Sequence, residues 1–255
     1  DLDEDTGLYY FNARWYDSEI GRFISEDPAA DPNNPNLYTY CRNNPLKFID
    51  SSGLLSYESN EEEEYNWYIE EGDTLTDIGK QLGFTVEEIL DVNPDITDPD
   101  LIVAGKNMNI PQNERIMALQ WAIEQIGSTE YAYTEEKGNY EANSWKCTLF
   151  VADAYVEGAG VTDYPTQRSW FGLGPERYAI TKQLTSEETQ IGGLKRLTEP
   201  LPGVIAAFPN DPYLGHAMIV GLKGELIGAG EFTVNVRSFD YMFDHGYEDP
   251  VYWGY

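Results

Sequence analysis

The pattern of apolar residues changes twice along the chain, and one packed unit does not accommodate both changes. Residues 1–56 alternate aromatic and turn residues, residues 67–111 combine two helical patterns with flanking strands, and residues 112–255 open with a helical stripe. Residues 57–66 form an acidic stretch with the character of a solvated linker. We therefore expect an α+β, multi-domain protein divided at these boundaries.

The charge of the chain restricts its partners. Asp and Glu number 45 against 16 Lys and Arg, which gives a formal net charge of −29. A field of this sign repels nucleic acid and anionic lipid surfaces, so neither is an expected partner. No apolar run reaches the roughly 18 residues that a membrane helix needs, and no span is expected.

The first residues of the chain bear on the location of the protein, and its cysteines bear on its redox state. The chain begins in mid-pattern without Met, as a piece of a longer protein would, with export signals upstream. The two cysteines lie far apart in sequence, so each is interpreted as a thiol. Cys41, in the run LYTYC, is most simply a small buried hydrophobe.

The first segment reads GLYYFNARWYDSEIGRF and later NLYTYCRNNP, a pattern that predicts short strands joined by tight turns. It resembles the end of an Rhs (YD-repeat) core. The resemblance implies a β-shell that encloses a C-terminal toxin, and self-cleavage by two aspartates at the positions of Asp27 and Asp50. Ala30 and Ser51 depart from the motif of that family, and the same aspartates equally suit Asx turns.

The middle segment contains a strand, two helices and a strand in about 45 residues. Leu75, Ile78 and Leu82 form one helical stripe, and Glu88 stands at the capping-box position of a second helix that begins near Thr85. The motifs GDTL, LDVNPDI and IVAGKNMNIP resemble a LysM module. That resemblance implies binding of N-acetylglucosamine-containing glycans, chiefly peptidoglycan or chitin, in a shallow groove between two loops.

The residues carried over from LysM modules to this groove are Gly72, Asp73, Thr74, Leu75, Asp95 and Ile96. Backbone amides are expected to bind the acetamido group while Leu75 and Ile96 cover its apolar face. The alternative is a LysM fold that serves only as a spacer.

In the last segment, Cys147 stands just before an apolar helical run in KCTLFVADAYVEGAG. A cysteine at a helix N-terminus gains from the free N–H groups and the helix dipole, which lower the thiol pKa. A nucleophilic thiolate needs an imidazole as its base. Of the two histidines, His216 begins an apolar strand, GHAMIV, whereas His245 lies among acids near the end of the chain. The alternatives are a structural thiol and a core histidine.

The order of these elements, with KCTLFVADAY followed by LPGVIAAF and GHAMIV, resembles the NlpC-type cell-wall peptidases and their CHAP relatives. The resemblance implies a papain-like hydrolase domain in which the helix bearing Cys147 packs on an antiparallel sheet and His216 is the base. It also implies that Tyr131 lines the oxyanion region. The third polar residue of the family would fall at Gly228, so Glu231, Asn235 or a backbone carbonyl is expected to replace it.

Together these patterns predict a peptidoglycan hydrolase of the cysteine peptidase or amidase type that is secreted or delivered to the cell envelope, the toxin end of an Rhs-type protein. Its partners would be peptidoglycan and, for a toxin, a cognate immunity protein; no metal or cofactor is required. The alternatives are a glycan-binding protein with an impaired catalytic domain, and the same thiol fold acting on a non-wall acyl or amide substrate.

Overall fold

A computed structural model describes residues 2–3, 6–11, 14–18, 20–26, 36–40, 48–49, 57–58, 66–168, 176–178, 181–209 and 215–255. Cys41, the two aspartates proposed for self-cleavage, Asp27 and Asp50, and most of the acidic stretch lie outside the described residues. The chain divides into two compact units. The first comprises Asp1–Gly79 and Phe84–Pro111, and the second comprises Lys80–Gly83 and Gln112–Tyr255.

The N-terminal residues form the short strands that the aromatic pattern predicts. Four strands pair antiparallel in chain order: β1 (Leu2–Asp3), β2 (Leu8–Phe11), β3 (Arg14–Asp17) and β4 (Arg22–Phe23). The buried Phe23 ring lies under the guanidinium of Arg14 at 3.7 Å, a cation–π contact, and Tyr40 packs edge-on against Phe23. A further antiparallel pair consists of β5 (Phe48–Ile49) and β6 (Tyr57–Glu58).

The middle segment has the predicted order of a strand, two helices and a strand. These are β7 (Asn66–Tyr68), α1 (Leu75–Leu82), α2 (Val86–Asp91) and β8 (Asn107–Asn109), and β7 pairs antiparallel with β8. The predicted capping box is present, because the Thr85 hydroxyl accepts from Glu88 N–H and the Glu88 carboxylate accepts from Thr85 N–H. These hydrogen bonds lower the pKa of Glu88.

A buried asparagine joins α2 to β8. The Asn93 Nδ2 group donates to the carbonyls of Ile89 at 2.7 Å and Asn109 at 2.9 Å, while its Oδ1 accepts from Asn109 N–H at 2.7 Å. One side chain thus satisfies backbone groups of two elements where the chain has no regular ladder. Asn93 is therefore a structural residue of this module.

The second unit is built on a seven-stranded antiparallel sheet in the order β11–β12–β17–β13–β14–β15–β16. Its elements are α3 (Glu114–Glu124), α4 (Cys147–Asp153), β9 (Thr166–Arg168), β10 (Glu176–Tyr178), α5 (Thr181–Leu184), β11 (Gln190–Ile191), β12 (Leu194–Leu197), β13 (Ile205–Phe208), β14 (His216–Val220), β15 (Leu226–Ala229), β16 (Val234–Arg237), α6 (Phe239–Asp244) and β17 (Val251–Gly254). A π-helical turn, Ala154–Gly158, directly continues α4.

The two faces of this sheet pack against different helices, because successive strand residues point to opposite sides. One face, here the α6 face, carries a core cluster with Met242 of α6. The other members of this cluster are Val204, directly before β13, and the strand residues Ala206, Phe208, Met218, Val220 and Leu226. The other, here the α5 face, carries Trp253, whose Nε1–H donates to the Leu184 carbonyl in α5.

Candidate active site and glycan-binding module

Cys147 is the first residue of α4 and is nearly sealed from solvent, with 6% of its surface exposed. Its Sγ accepts hydrogen bonds from the backbone N–H of Ala217 in β14 and from the hydroxyl of Thr181 in α5. The N–H groups of Cys147 and Thr148 also point to the sulfur, as expected where the first N–H groups of a helix have no intrahelical partner. The sulfur is therefore fixed between the start of α4 and the start of β14.

The pKa of this thiol differs from the sequence expectation. Burial raises the pKa of Cys147 above its ordinary value, and the hydrogen bonds from Ala217, Thr181 and the helix start only partly offset that rise. The N–H groups at the helix start do lower the pKa, as predicted, but burial raises it by more. Removal of water from a charged sulfur costs more than the free N–H groups of a short helix return. The raised pKa favours the neutral thiol over the thiolate.

His216 opens β14, directly before Ala217, and lies opposite Phe208 in the ladder with β13. Cross-strand partners project to the same face, so the imidazole belongs to the α6 face, where its ring centroid is 6.1 Å from that of Tyr247. Ala217 projects to the other face. His216 and the backbone that contacts Cys147 are thus consecutive residues of one strand.

Cys147 lies beside the start of β14 and beside α5. Its partner Thr181 belongs to α5, and α5 also accepts the hydrogen bond from Trp253. Trp253 pairs with Ile205, which shares its face with Ala217 through the register of β13 and β14. Within the described residues, the hydrogen bonds to Sγ come from these neighbours and not from the imidazole. The structure thus brings the two predicted residues to one end of β14 without a direct hydrogen bond.

Tyr131 does not lie where the sequence expectation put it. Its hydroxyl donates to Asp153 Oδ2 at 2.7 Å, and its ring packs edge-on against Phe150 with centroids 5.2 Å apart. Asp153 ends α4, six residues after Cys147, which corresponds to about 9 Å along a helix. The assignment of Tyr131 to the oxyanion region is therefore corrected: its hydroxyl supports the far end of the helix.

The carboxylate of Asp153 gives stability a testable pH dependence. Burial raises its pKa to about 6, and the hydrogen bond from Tyr131 offsets only part of the rise. Between about pH 4 and about pH 6 the folded state then binds more protons than the unfolded state, so this group's contribution to stability is lost as the pH rises through that window. We expect Asp153→Asn, whose amide oxygen still accepts from the Tyr131 hydroxyl, to remove this pH dependence of the free energy of unfolding.

Denaturant unfolding of the wild type and the variant across that pH range measures the effect. The free energy of unfolding of the wild type should fall relative to that of the variant as the pH rises. Parallel curves would show that Asp153 does not titrate in this window.

The position of the third polar residue is filled by a different side chain. A Cβ at Gly228 would lie 2.9 Å from Cγ of Met218, so Met218 occupies the space that a side chain at 228 would need. The Glu231 side chain is exposed, and only its carbonyl is engaged, as the acceptor of Tyr133 N–H. No described contact joins Glu231 to the imidazole. Asn235 pairs with Gly228 and therefore shares the face of His216.

The predicted glycan-binding residues divide into exposed and structural ones. Leu75 is 2% exposed and packs in the core, so its proposed contact with a sugar was wrong. Asp73 Oδ2 accepts from Trp67 Nε1–H at 3.3 Å and from Glu70 N–H at 2.9 Å, which fixes the turn before α1.

The remaining residues of the predicted groove offer surface. Thr74 is exposed, and its Oγ1 accepts from the N–H of Asp77 at the start of α1. Gly72 is exposed with φ of +97°, a conformation that favours glycine. Asp95 is exposed and Ile96 is half-buried. A ligand at these loops would therefore meet backbone groups, the Thr74 hydroxyl and the Ile96 side chain.

Two residues near Cys147 had no assigned role in the sequence analysis. Thr181 lies in a four-residue helix 34 positions after the cysteine, and no motif marks it. Lys146 directly precedes Cys147 and is 1% exposed. Its position was visible, but a lysine is so rarely buried that sequence reasoning assigns it to the surface.

Comparison with known proteins identifies the middle module. Residues 68–111 match the LysM domain. LysM domains bind N-acetylglucosamine-containing glycans such as peptidoglycan, and the module therefore indicates association with a cell wall.

Shorter similarities link the chain to large proteins, several of them named as toxins. The toxin subunit YenC2 of Yersinia entomophaga is 47% identical over 49 residues, which are 19% of this chain and 5% of that protein. The toxin protein Tse5 of Pseudomonas aeruginosa is 43% identical over 53 residues, 21% of this chain and 4% of its own. The tRNA nuclease WapA of Bacillus subtilis is 44% identical over 55 residues, 20% and 2% respectively.

The chain thus spans 2–5% of the length of these three relatives. The names of these proteins state different activities, so the stretch that they share with this chain does not define an activity. No helix in the described part of the chain is both long and apolar enough for a bilayer. Those same residues contain no group of three or more His, Cys, Asp or Glu side chains suited to a metal ion.

Proposed function

We propose that this chain is a wall-directed effector: the LysM domain holds an N-acetylglucosamine-containing glycan while the second unit hydrolyses amide bonds of the attached peptides. Cys147 is the nucleophile and His216 the base. The observation that carries the proposal is the fixed position of the sulfur, which begins α4 and accepts the N–H of Ala217, the residue after His216. A nucleophile and a base are thereby supplied at one end of β14.

The chemistry follows from these groups. The imidazole takes the thiol proton, the thiolate attacks the carbonyl carbon, and the imidazolium then donates its proton to the departing amine. Water, deprotonated by the same imidazole, releases the carboxylic acid from the thioester and restores the thiol. Attack removes the negative charge of the sulfur, so the N–H groups of Ala217 and of the first residues of α4 that donated to the sulfur can donate to the carbonyl oxygen while that oxygen gains charge.

The proposal requires the imidazole to reach Sγ when substrate binds: among the described residues Sγ accepts from Ala217 N–H and the Thr181 hydroxyl, while the imidazole lies near Tyr247. Gly215 precedes His216 with φ of +78°, and a Cβ at this position would lie 2.6 Å from Cγ2 of Thr181, so glycine is required directly before the base. The neutral, buried thiol is then a resting state. Substrate must bring the imidazole toward the sulfur before the proton can move.

Digestion of purified peptidoglycan by the full chain tests the proposal. Mass spectrometry of the soluble fragments should find new stem-peptide termini with the wild type and none with Cys147→Ala. Cleavage by both proteins would exclude the thiol mechanism. Fragments with new glycan ends and unaltered peptides would exclude amide hydrolysis.

A second candidate function is wall binding without hydrolysis. It is favoured by two observations: the hydrogen bonds to Sγ within the described residues come from groups other than the His216 imidazole, and the Met218 side chain fills the space of a third polar residue. Under this candidate the wild type would sediment with peptidoglycan and release no peptide. Ile96→Asp, at the LysM loop, would reduce sedimentation under either candidate.

A further inference from the structure

We infer that Trp145 and Tyr133 form a second carbohydrate-binding site, next to Cys147, that takes the neutral pyranose ring of an N-acetylated glycan. The two rings lie 4.9 Å apart between centroids at a tilt of 53°. Trp145 is 46% exposed although it is the largest apolar side chain in its loop. A large ring in water is costly unless something covers it, and exposed apolar surface of this kind marks binding sites.

The loop that carries Trp145 is fixed rather than loose. The ammonium of the buried Lys146 donates to the carbonyls of Ala132 and Ser144, each at 3.0 Å, and of Glu141 at 3.5 Å. The Ser144 hydroxyl also donates to the Glu141 carbonyl. All three hydrogens of the ammonium are thus directed at main-chain oxygens.

The backbone of this loop also departs from ordinary geometry. Asn143 has φ of +60°, the left-handed region that non-glycine residues seldom adopt. Asn is among the few non-glycine residues that adopt this conformation readily, so the turn suits the residue found there. The Lys146 hydrogen bonds hold the backbone around Trp145 at the entrance to α4.

Tyr133, the second ring of the proposed site, is held by the turn between β15 and β16. Tyr133 N–H donates to the Glu231 carbonyl at 2.8 Å, which brings the turn between β15 and β16 beside Tyr133. Phe232, the next residue of that turn, is 68% exposed. Apolar rings from two separate segments therefore face solvent in one region of the surface.

The chemistry of the Trp145 and Tyr133 rings indicates the class of ligand. Aromatic faces cover the C–H face of a sugar ring, while the hydroxyl of Tyr133 supplies a polar edge. The charge of the neighbouring segments is mainly acidic: Glu135, Glu136, Glu141 and Glu231 are exposed, and the ammonium of Lys137 is paired with Glu130 at 2.7 Å. This charge disfavours anionic ligands and leaves neutral sugars suited to the site. The LysM domain of the same chain binds glycans of this class, so such a ligand is held at high local concentration.

This site extends the proposed function but does not depend on catalysis. Bound sugar at Trp145 would place a peptide attached to the glycan near Cys147, two residues further along the chain. The site would then select glycan-linked peptides over free peptides.

Titration of the full chain with N-acetylglucosamine tetramer tests the inference by nuclear magnetic resonance. The indole N–H signal of Trp145, identified by its loss in Trp145→Phe, should shift saturably, whereas that of the core residue Trp253 should not. Tyr133→Ala should weaken the affinity reported by the Trp145 signal about fivefold. Phe243→Ala, which removes a ring that is 42% exposed elsewhere in the unit, should leave it unchanged.

The inference is overturned if the Trp145 signal stays in place when the LysM domain is saturated. It is also overturned if the signal shifts with a free stem peptide and not with the tetramer, since the surface would then bind peptide. Peptidoglycan cleavage without a Trp145 shift would remove this inference alone. A Trp145 shift without cleavage would remove the proposed hydrolysis and leave the carbohydrate site.

Discussion

Replacement of Cys147 by alanine is expected to reduce the release of peptides from peptidoglycan by at least about a thousandfold. The proposed mechanism forms the acyl intermediate on the sulfur, and the alanine variant keeps the helix and its N–H groups. The change removes a nearly buried thiol of small volume, so the fold should persist. Release of labelled peptide, with circular dichroism of each variant, measures both effects.

His216→Ala should reduce the same rate to a similar extent, and the double variant should be no worse than either single variant. Residues that act as one unit show this lack of additivity, because loss of either removes the shared step. Phe243→Ala, a change on the same face as His216 but in α6, is the control and should retain full activity. Additive losses would indicate that Cys147 and His216 act on stability or binding separately.

Lys146→Met is expected to lower the free energy of unfolding of the second unit by about 3 kcal/mol. The variant removes the donor for the carbonyls of Ala132 and Ser144 and leaves these oxygens without the ammonium that satisfied them. The apolar side chain itself suits the buried site, so the loss reports on the hydrogen bonds. Denaturant unfolding followed by near-ultraviolet circular dichroism of the aromatic residues measures the change.

Lys182→Met is the matched control for this prediction, because Lys182 is an exposed lysine of α5 in the same unit. It should change the free energy of unfolding by no more than about 0.5 kcal/mol. Equal stabilities of the Lys146 and Lys182 variants would contradict the role of Lys146 as the fixing residue of the Trp145 loop.

Local structure in this protein follows closely from the sequence. The capping box at Thr85 and Glu88, the helix that begins at Cys147 and the strand that begins at His216 were all predictable, because caps and apolar periodicity are local signals. Leu75 was also predictable. The stripe it forms with Ile78 and Leu82 is the packed side of α1, which excludes the sugar contact assigned to it.

The relation between distant elements did not follow from the sequence. Alternation along β14 predicts that the His216 and Ala217 side chains point to opposite sides of the sheet. The elements that cover each side, α5 and β17 among them, are distant in the chain, so local patterns do not predict them. The direction of the Tyr131 hydroxyl likewise depends on its packing against Phe150. The direction of the pKa shift of Cys147 is set by how deeply the sulfur is buried, and the apolar pattern around the cysteine does not reveal that depth.

The most direct test of Cys147 as a nucleophile is its rate of alkylation by iodoacetamide, followed by mass spectrometry of the peptide that contains it, which separates it from Cys41. The wild type should react slowly alone, because the thiol is neutral and buried, and faster when soluble peptidoglycan fragments are bound; His216→Ala should show no acceleration. Alkylation that is equally slow with and without fragments, in both proteins, would contradict the account and make Cys147 a structural thiol.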